Sequence, residues 1–290
     1  MADLLLLILL PLLLLFFILL HASPIKALLT TAKLVLAPEL STVWKPQPAS
    51  IFVTDHETAH SLLVRGTLPT VSTGAPFVTT SHRRSSTQRS STALQWIMAN
   101  LVKRPDIQET VRKEINAIVG ADAEEVSEVV LGKLEYLHAV IMEALRLHPP
   151  TSFAFRQVME EDHVVHNGQP ILVGTKVYFP LAAIARDMTA WDNPDKFKPQ
   201  RFLSYKDASQ GTDGTIKMMP FGGGRRMCPG RGVAMLHLSY FTANLVREFR
   251  WREGEGERAV DLRPHVEFFT VMKRPLRAHL ELERTEIKTS

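Results

Sequence analysis

One cysteine in 290 residues, Cys228, excludes any internal disulfide, and with it the small secreted scaffolds that depend on such staples. A lone thiol is then either inert packing or chemistry, and its neighbours must decide which. A large excess of one charge is also lacking: a net charge of +4, without a basic stripe or a recognised module, is too weak to indicate nucleic acid. No glycine loop ends in the Lys-Ser/Thr of a P-loop, and no true G-x-G-x-x-G precedes a helix, so nucleotide-phosphate binding has no motif here. At 45% hydrophobic and 22% charged residues, the composition excludes a disordered chain and allows a sizeable core.

What is present begins with an unbroken apolar run at residues 4–20, LLLLILLPLLLLFFILL. It is long enough for most of the roughly 30 Å of bilayer hydrocarbon, and Pro11 is tolerated within a membrane helix. A cleaved signal peptide would want a basic start and a small-residue cleavage site, and the Met-Ala-Asp start offers neither. The expectation is a membrane anchor over residues 1–21, with Lys26 and Lys33 placing the bulk of the chain in the cytosol. Residues 22–90 read as a remnant region and linker. Within them a short strand is expected at 50–53 and a short helix at 55–64, stopped by Arg65-Gly66. The stretch 67–90, ending in TTSHRRSSTQRS, has few large apolar residues and no period, as a solvated linker would.

Beyond residue 90 the pattern becomes regular. Ser91 or Thr92 can cap a helix with Leu94, Ile97, Met98 and Leu101 at helical spacing. Pro105 opens a second, carrying Ile107, Val111, Ile115 and Ile118 and ending before Gly120. A third, at 133–148, has a stripe of Leu134, Leu137, Val140, Ile141, Ala144 and Leu145 and is ended by Pro149-Pro150. Asn167-Gly168 and Gly174-Thr175 mark turns of a small antiparallel sheet. Helical period returns at 233–249, through Leu236, Tyr240, Phe241, Leu245 and Phe249. The fold class is therefore mainly α with a small antiparallel β-sheet.

The cysteine lies in KMMPFGGGRRMCPGRG, residues 217–232. Gly222, Gly223 and Gly224 let backbone approach a neighbour closely, and Gly230 does so again after the thiol. The expected helix starts just beyond, so its dipole and Arg225, Arg226 and Arg231 would favour the thiolate, the form of sulfur that ligates metals. A structural cysteine and a phosphate-cradling loop are the alternatives.

Phe221, Gly224, Arg226, Cys228 and Gly230 fit F-x-x-G-x-R-x-C-x-G, the haem-binding signature of the cytochrome P450 family, and Ala234 fits its extension. The form PFGGGRRMCPG resembles the plant microsomal branch. The resemblance implies that Cys228 is the axial ligand of a haem b iron, with Arg226 near a haem propionate. Glu143 and Arg146 form an E-x-x-R on one helix face, and Arg201 stands downstream in Pro199-Gln200-Arg201-Phe202, preceded by Trp191, Pro194 and Phe197. In the family these motifs come in this order, and they imply a structural triad of Glu143, Arg146 and Arg201. The resemblance further implies a haem-thiolate monooxygenase that inserts one oxygen atom from dioxygen into a small apolar substrate, anchored in the endoplasmic reticulum membrane. With no nicotinamide motif in the chain, electrons would come from NADPH-cytochrome P450 reductase, docked where Arg225, Arg231, Arg247 and Arg250 could meet an acidic partner.

The chain departs from the family in three places. None of Trp44, Trp96, Trp191 and Trp251 has an arginine at the fourth position after it, so the W-x-x-x-R propionate contact is missing. The acid and alcohol that serve dioxygen in the family fall here on Gln88 and Arg89, an amide that does not ionise and a permanent cation. A long helical stretch is missing before residue 91, which suggests an internal deletion, with residues 91–290 as the haem-binding core of an incomplete P450 fold. Its loss should leave Leu94, Met98 and the third helix exposed. The alternatives are a catalytically inactive haem-binding remnant, a relative that rearranges hydroperoxides, and a zinc peptidase through His56-Glu57-Thr58-Ala59-His60, which fits H-E-x-x-H.

Overall fold

The computed structural model describes residues 50–65, 82–120, 125–159, 165–166, 169–203, 215–256, 259–266 and 269–283. The expected membrane segment lies outside them. No described helix is long and apolar enough to cross a membrane.

Strand β1, Ser50–Phe52, leads into helix α1, His56–His60, whose cap is Asp55: its carboxylate accepts the Thr58 amide at 2.7 Å. Helix α1 then widens into a π-helical turn, Ser61–Arg65. Helix α2 spans His82–Lys103. Ser91 and Thr92, expected as caps, are therefore interior to it, and the linker expected through residue 90 gives way to helix from His82. A polar Ser/Thr/Arg run carries no apolar period to read, yet its backbone can extend a helix that packing further along already holds. Helix α3, Pro105–Val119, starts with its proline in the first turn, where a missing N–H costs nothing. A short helix α4, Glu128–Leu131, precedes α5, Glu135–Leu147.

Among the described residues, four short strands and one short α-helix follow α5 before the cysteine loop. Strand β2 is Phe153–Gln157, β3 Val165–His166, β4 Gln169–Pro170 and β5 Lys176–Pro180, with helix α6 at Leu181–Ile184. The order β1-β5-β2 gives a mixed sheet: β2 runs antiparallel to β5, but β1 pairs with it in parallel, Ser50 opposite Lys176. β3 and β4 pair antiparallel around the expected Asn167-Gly168 turn, which itself lies outside the described residues. Helix α7, Arg231–Glu248, runs directly into β6, Phe249–Glu253. β6 pairs with β9, Ala278–Leu282, and β7, Pro264–Val266, with β8, Thr270–Met272, both antiparallel.

Two cores matter for the site. The larger joins α2, α3, α5 and α7 through residues such as Ile97, Leu101, Val111, Ile141, Leu145 and Val246. Met98 is buried in it, Leu94 packs against it, and α5 is buried at every position from Ala139 to Leu147. The expected exposure of these residues is thus overturned, because α3 and α7 pack on the faces concerned. The smaller core lies beneath the β1-β5-β2 sheet and joins Leu62 and Leu63 of the π turn to Val177, Phe179, Ile216 and Met219.

His148 ends α5 and stacks flat on Trp96, with ring centroids 3.9 Å apart. Burial first, then Arg186, Arg104 and Arg146 around it, push its pKa from 6.5 down to about 3. The unfolded chain takes up this proton below its ordinary pKa while the folded one refuses it. Stability from the neutral ring is therefore full above that ordinary value and is lost as the pH falls from there toward about 3. His148→Phe keeps a ring on Trp96 and removes the proton, so its stability should fall less than wild type's over this window, as read by denaturant midpoints at a series of pH values.

Candidate functional site

The cysteine loop hangs on a stalk, residues 215–219, and closes on itself through backbone bonds. The Cys228 amide donates to the Phe221 carbonyl at 2.8 Å, and the Cys228 carbonyl accepts from the Arg231 amide at 3.3 Å. Between them a 3-10 turn, Gly224–Arg226, carries two arginines to the surface. The first α-helical bond of α7 runs from the Ala234 amide to the Gly230 carbonyl at 2.9 Å. This leaves the half-buried thiol of Cys228 just before the helix, with its sulfur 3.8 Å from where a Cβ on Gly230 would lie. The glycines have a partner within the chain. Gly224 sits at φ +64°, and a Cβ there would overlap the Leu63 carbonyl oxygen of the π turn. At Gly223 a Cβ would come within 2.8 Å of the Ile216 Cδ1.

Glu143 and Arg146 of α5 are both fully buried, at 0% exposure. Arg146 donates to Glu143 through Nε at 2.7 Å and Nη2 at 2.9 Å, a bidentate pair, and its remaining donors reach the carbonyls of Ala185 and Pro194 at 2.7 and 2.6 Å. Arg201, in the 3-10 turn Pro199–Phe202, donates from Nε to the same carboxylate at 3.2 Å, and the Lys198 amide does so at 2.8 Å. The structure thus brings Glu143, Arg146 and Arg201 together. Both guanidiniums also face the Trp191 ring, 5.1 and 5.7 Å from its centroid. Trp191 in turn donates from Nε1 to the Lys217 carbonyl at 3.1 Å. That bond ties the charge network to the stalk of the cysteine loop.

One residue that sequence reasoning missed stands beside the loop. Arg156 of β2 is buried, donates from Nη2 to the Gly223 carbonyl at 3.3 Å and from Nη1 to its neighbour Phe155 at 2.8 Å, and has no hydrogen-bond partner at Nε. Burial first, and the Arg226 charge second, lower its pKa. Among the described residues no carboxylate forms an ion pair with Arg156. A buried cation with an orphaned donor, under the influence of a second cation, fits an anionic group that the described residues do not supply. The carboxylates of a haem edge have that chemistry, and Cys228 supplies a sulfur ligand a few residues away, so the residues present fit the expected cofactor. In Phe-Ala-Phe-Arg-Gln the strand alternation sets Arg156 on the face opposite Phe153 and Phe155, so the sequence carried no signal that it is buried.

The other expected site residues are less engaged. Phe221 packs against the larger core, while Arg226 is exposed. Arg89, expected at the position of the family's alcohol, is exposed on α2, and the side chain of Gln88 lies outside the described residues. Of the four arginines expected to face an acidic partner, Arg247 is 6% exposed, with Nη2 donating to the Gly120 carbonyl at 3.1 Å. Arg250 is held by Glu283 at 2.8 Å. Burial removes Arg247 from that surface.

The H-E-x-x-H pair is used internally. His56 meets Asp187 from both its amide and its ring, at 3.1 and 2.8 Å, and the Asp187 carboxylate is also bonded by Thr189. Desolvation would raise the Asp187 pKa, but the bonds from Thr189 and His56 outweigh it and hold it well below the usual carboxylate range. His60 accepts the Ile216 amide at Nδ1, 3.3 Å. Among the described residues no group of three His, Cys, Asp or Glu is placed to hold a metal. The zinc reading loses its second ligand, because His60 Nδ1 already accepts an amide, which places the ring's proton on Nε2 and leaves that nitrogen no lone pair for a metal.

Comparison with known proteins gives a match to the family model Cytochrome P450 over residues 84–281. Among curated proteins, the chain is 43% identical over 203 residues to Cytochrome P450 89A9 of Arabidopsis thaliana, covering 68% of this chain and 39% of that protein. It is 42% identical over 165 residues to Sugiol synthase of Salvia miltiorrhiza, covering 57% of this chain and 33% of that protein. Against Cytochrome P450 78A9 of Arabidopsis thaliana it is 37% identical over 197 residues, covering 66% and 36% respectively. The chain thus spans less than half the length of the curated relatives it matches.

Proposed function

This chain belongs to the cytochrome P450 family, and from that premise we propose that it is a haem-thiolate monooxygenase whose iron is held by Cys228. The observation that carries the proposal is the pairing of the half-buried Cys228 thiol of the glycine loop with a buried, partnerless donor on Arg156, which reaches the same loop from β2 through the Gly223 carbonyl. Cys228 would hold the metal, and Arg156 with Arg226 would neutralise the cofactor's carboxylates. Glu143, Arg146 and Arg201, acting through Trp191, fix the stalk that carries them. When bound, thiolate-ligated haem supplies reductive activation of dioxygen and insertion of one oxygen atom into an apolar substrate. Electrons come from a separate NADPH-cytochrome P450 reductase, which meets the exposed Arg225 and half-exposed Arg231. Residues 4–20 serve as the anchor in the endoplasmic reticulum membrane.

A second reading rests on a specific observation. Arg89 stands exposed on the helix that would face dioxygen, and a guanidinium has no proton to deliver at neutral pH. On that reading the chain binds haem and does not turn over. Reconstitution of the haem-loaded chain with reductase in vesicles separates the two. NADPH consumption coupled to an oxygenated product supports the monooxygenase. Full haem occupancy with no product from a panel of apolar compounds supports the second reading.

A further inference from the structure

The motif left over from the sequence is the H-E-x-x-H helix, and its position gives it a use. The stalk of the cysteine loop is held at two adjacent residues by two different elements of the fold. On one side Trp191 donates to the Lys217 carbonyl at 3.1 Å. On the other, the Ile216 amide donates to His60 Nδ1 at 3.3 Å, in a bond closed off from solvent. The next residues of α1's chain continue the contact. Leu63 sets its carbonyl against Gly224, and Leu62, Leu63, Ile216 and Met219 share the smaller core. Helix α1 is itself fixed from behind, since His56 holds Asp187 through both its amide and its ring.

We propose that His60 is a positioning residue for the Cys228 loop: α1 and the π turn after it form a clamp that sets where the ligating thiol stands. This deepens the haem-thiolate reading and rests on it. The chemistry is simple. Ile216 is buried at a single β-bridge outside the named strands and helices, and the acceptor of its amide is the His60 ring. His60 presents this acceptor from the last position of α1. Without it the stalk amide loses its acceptor, the stalk keeps only the Trp191 bond of the two, and the thiol loses its fixed place.

Two substitutions isolate the bond. His60→Asn puts an amide oxygen where Nδ1 now lies, while His60→Gln puts it one bond further out, where Nε2 lies; both are polar and modest in size, so both chains should fold. In the haem-free full chain, hydrogen exchange of the amides over residues 215–228 should be about fivefold faster in His60→Gln, the factor that losing one ordinary hydrogen bond gives, and close to wild type in His60→Asn. In the haem-loaded chain, reduced and exposed to carbon monoxide, His60→Gln should lose part of its thiolate-type Soret band to the neutral-ligand type, and His60→Asn should keep it. Wild-type exchange in His60→Gln, or no rescue by His60→Asn, overturns the clamp. Faster exchange with an unaltered Soret band overturns the positioning role and leaves His60 a local packing residue. If wild type itself lacks the thiolate-type band, the haem reading has failed, and the exchange comparison alone then decides the clamp.

Discussion

Glu143→Ala should destabilise the fold by about 3–5 kcal/mol, the usual effect of breaking a buried ion pair from one side, and should abolish haem incorporation. The argument is about what the deletion strands. Arg146 stays fully buried, with its bidentate partner gone and only backbone carbonyls left to it. Arg201 loses the carboxylate it meets at 3.2 Å, and the Lys198 amide loses its acceptor at 2.8 Å. Both guanidiniums are placed on the Trp191 ring, so their displacement reaches the Lys217 carbonyl and the stalk of the cysteine loop. Glu143→Gln, which keeps an acceptor oxygen and loses the charge, should cost less. Denaturant titration and haem content per chain measure the two effects. Normal haem occupancy in Glu143→Ala would disprove the linkage between the network and the loop.

Gly224→Ala should have the second largest effect, through the backbone. A non-glycine residue at φ +64° costs about 1–2 kcal/mol by conformation alone, and here the new methyl group would also overlap the Leu63 carbonyl. Backbone on both sides of that contact has little room to yield, because Leu63 lies in a π turn packed into the smaller core. Gly222→Ala is the control. Gly222 also has a positive φ, +76°, but a Cβ there would meet only the Arg226 carbonyl oxygen at 3.7 Å, an ordinary contact. Gly222→Ala should therefore show the conformational cost alone, and Gly224→Ala clearly more, in the unfolding free energy of the haem-free chain. Equal losses would mean that the loop does not rest on the π turn as described.

The parts of this protein that were legible in the sequence are those whose chemistry is local. Glu143 and Arg146 are three residues apart on one helix, and the cysteine loop declares itself within a dozen residues, because glycine, arginine and a sole thiol are informative side by side. The helices α3 and α5 were readable from apolar stripes that the larger core now buries. What stayed hidden depends on pairings across the chain. Nothing near Ser50 announces a parallel partner at Lys176. The beginning of α2 at His82 is polar, and polar helix carries no period. Arg156 looked like one arginine in a strand until folding set it against Gly223 and near Arg226. His56 and His60 matched a metal motif by spacing, but spacing cannot tell that Asp187 and the Ile216 amide would occupy them first.

The central claim is that Cys228, held by this scaffold, ligates haem iron, and the carbon monoxide spectrum of the reduced chain tests it most directly. Wild-type protein reconstituted with haem should show the thiolate-type Soret shift, and Cys228→Ser should lose it while remaining folded. A folded, haem-loaded wild type without the shift, or a Cys228→Ser variant that retains it, would contradict the assignment.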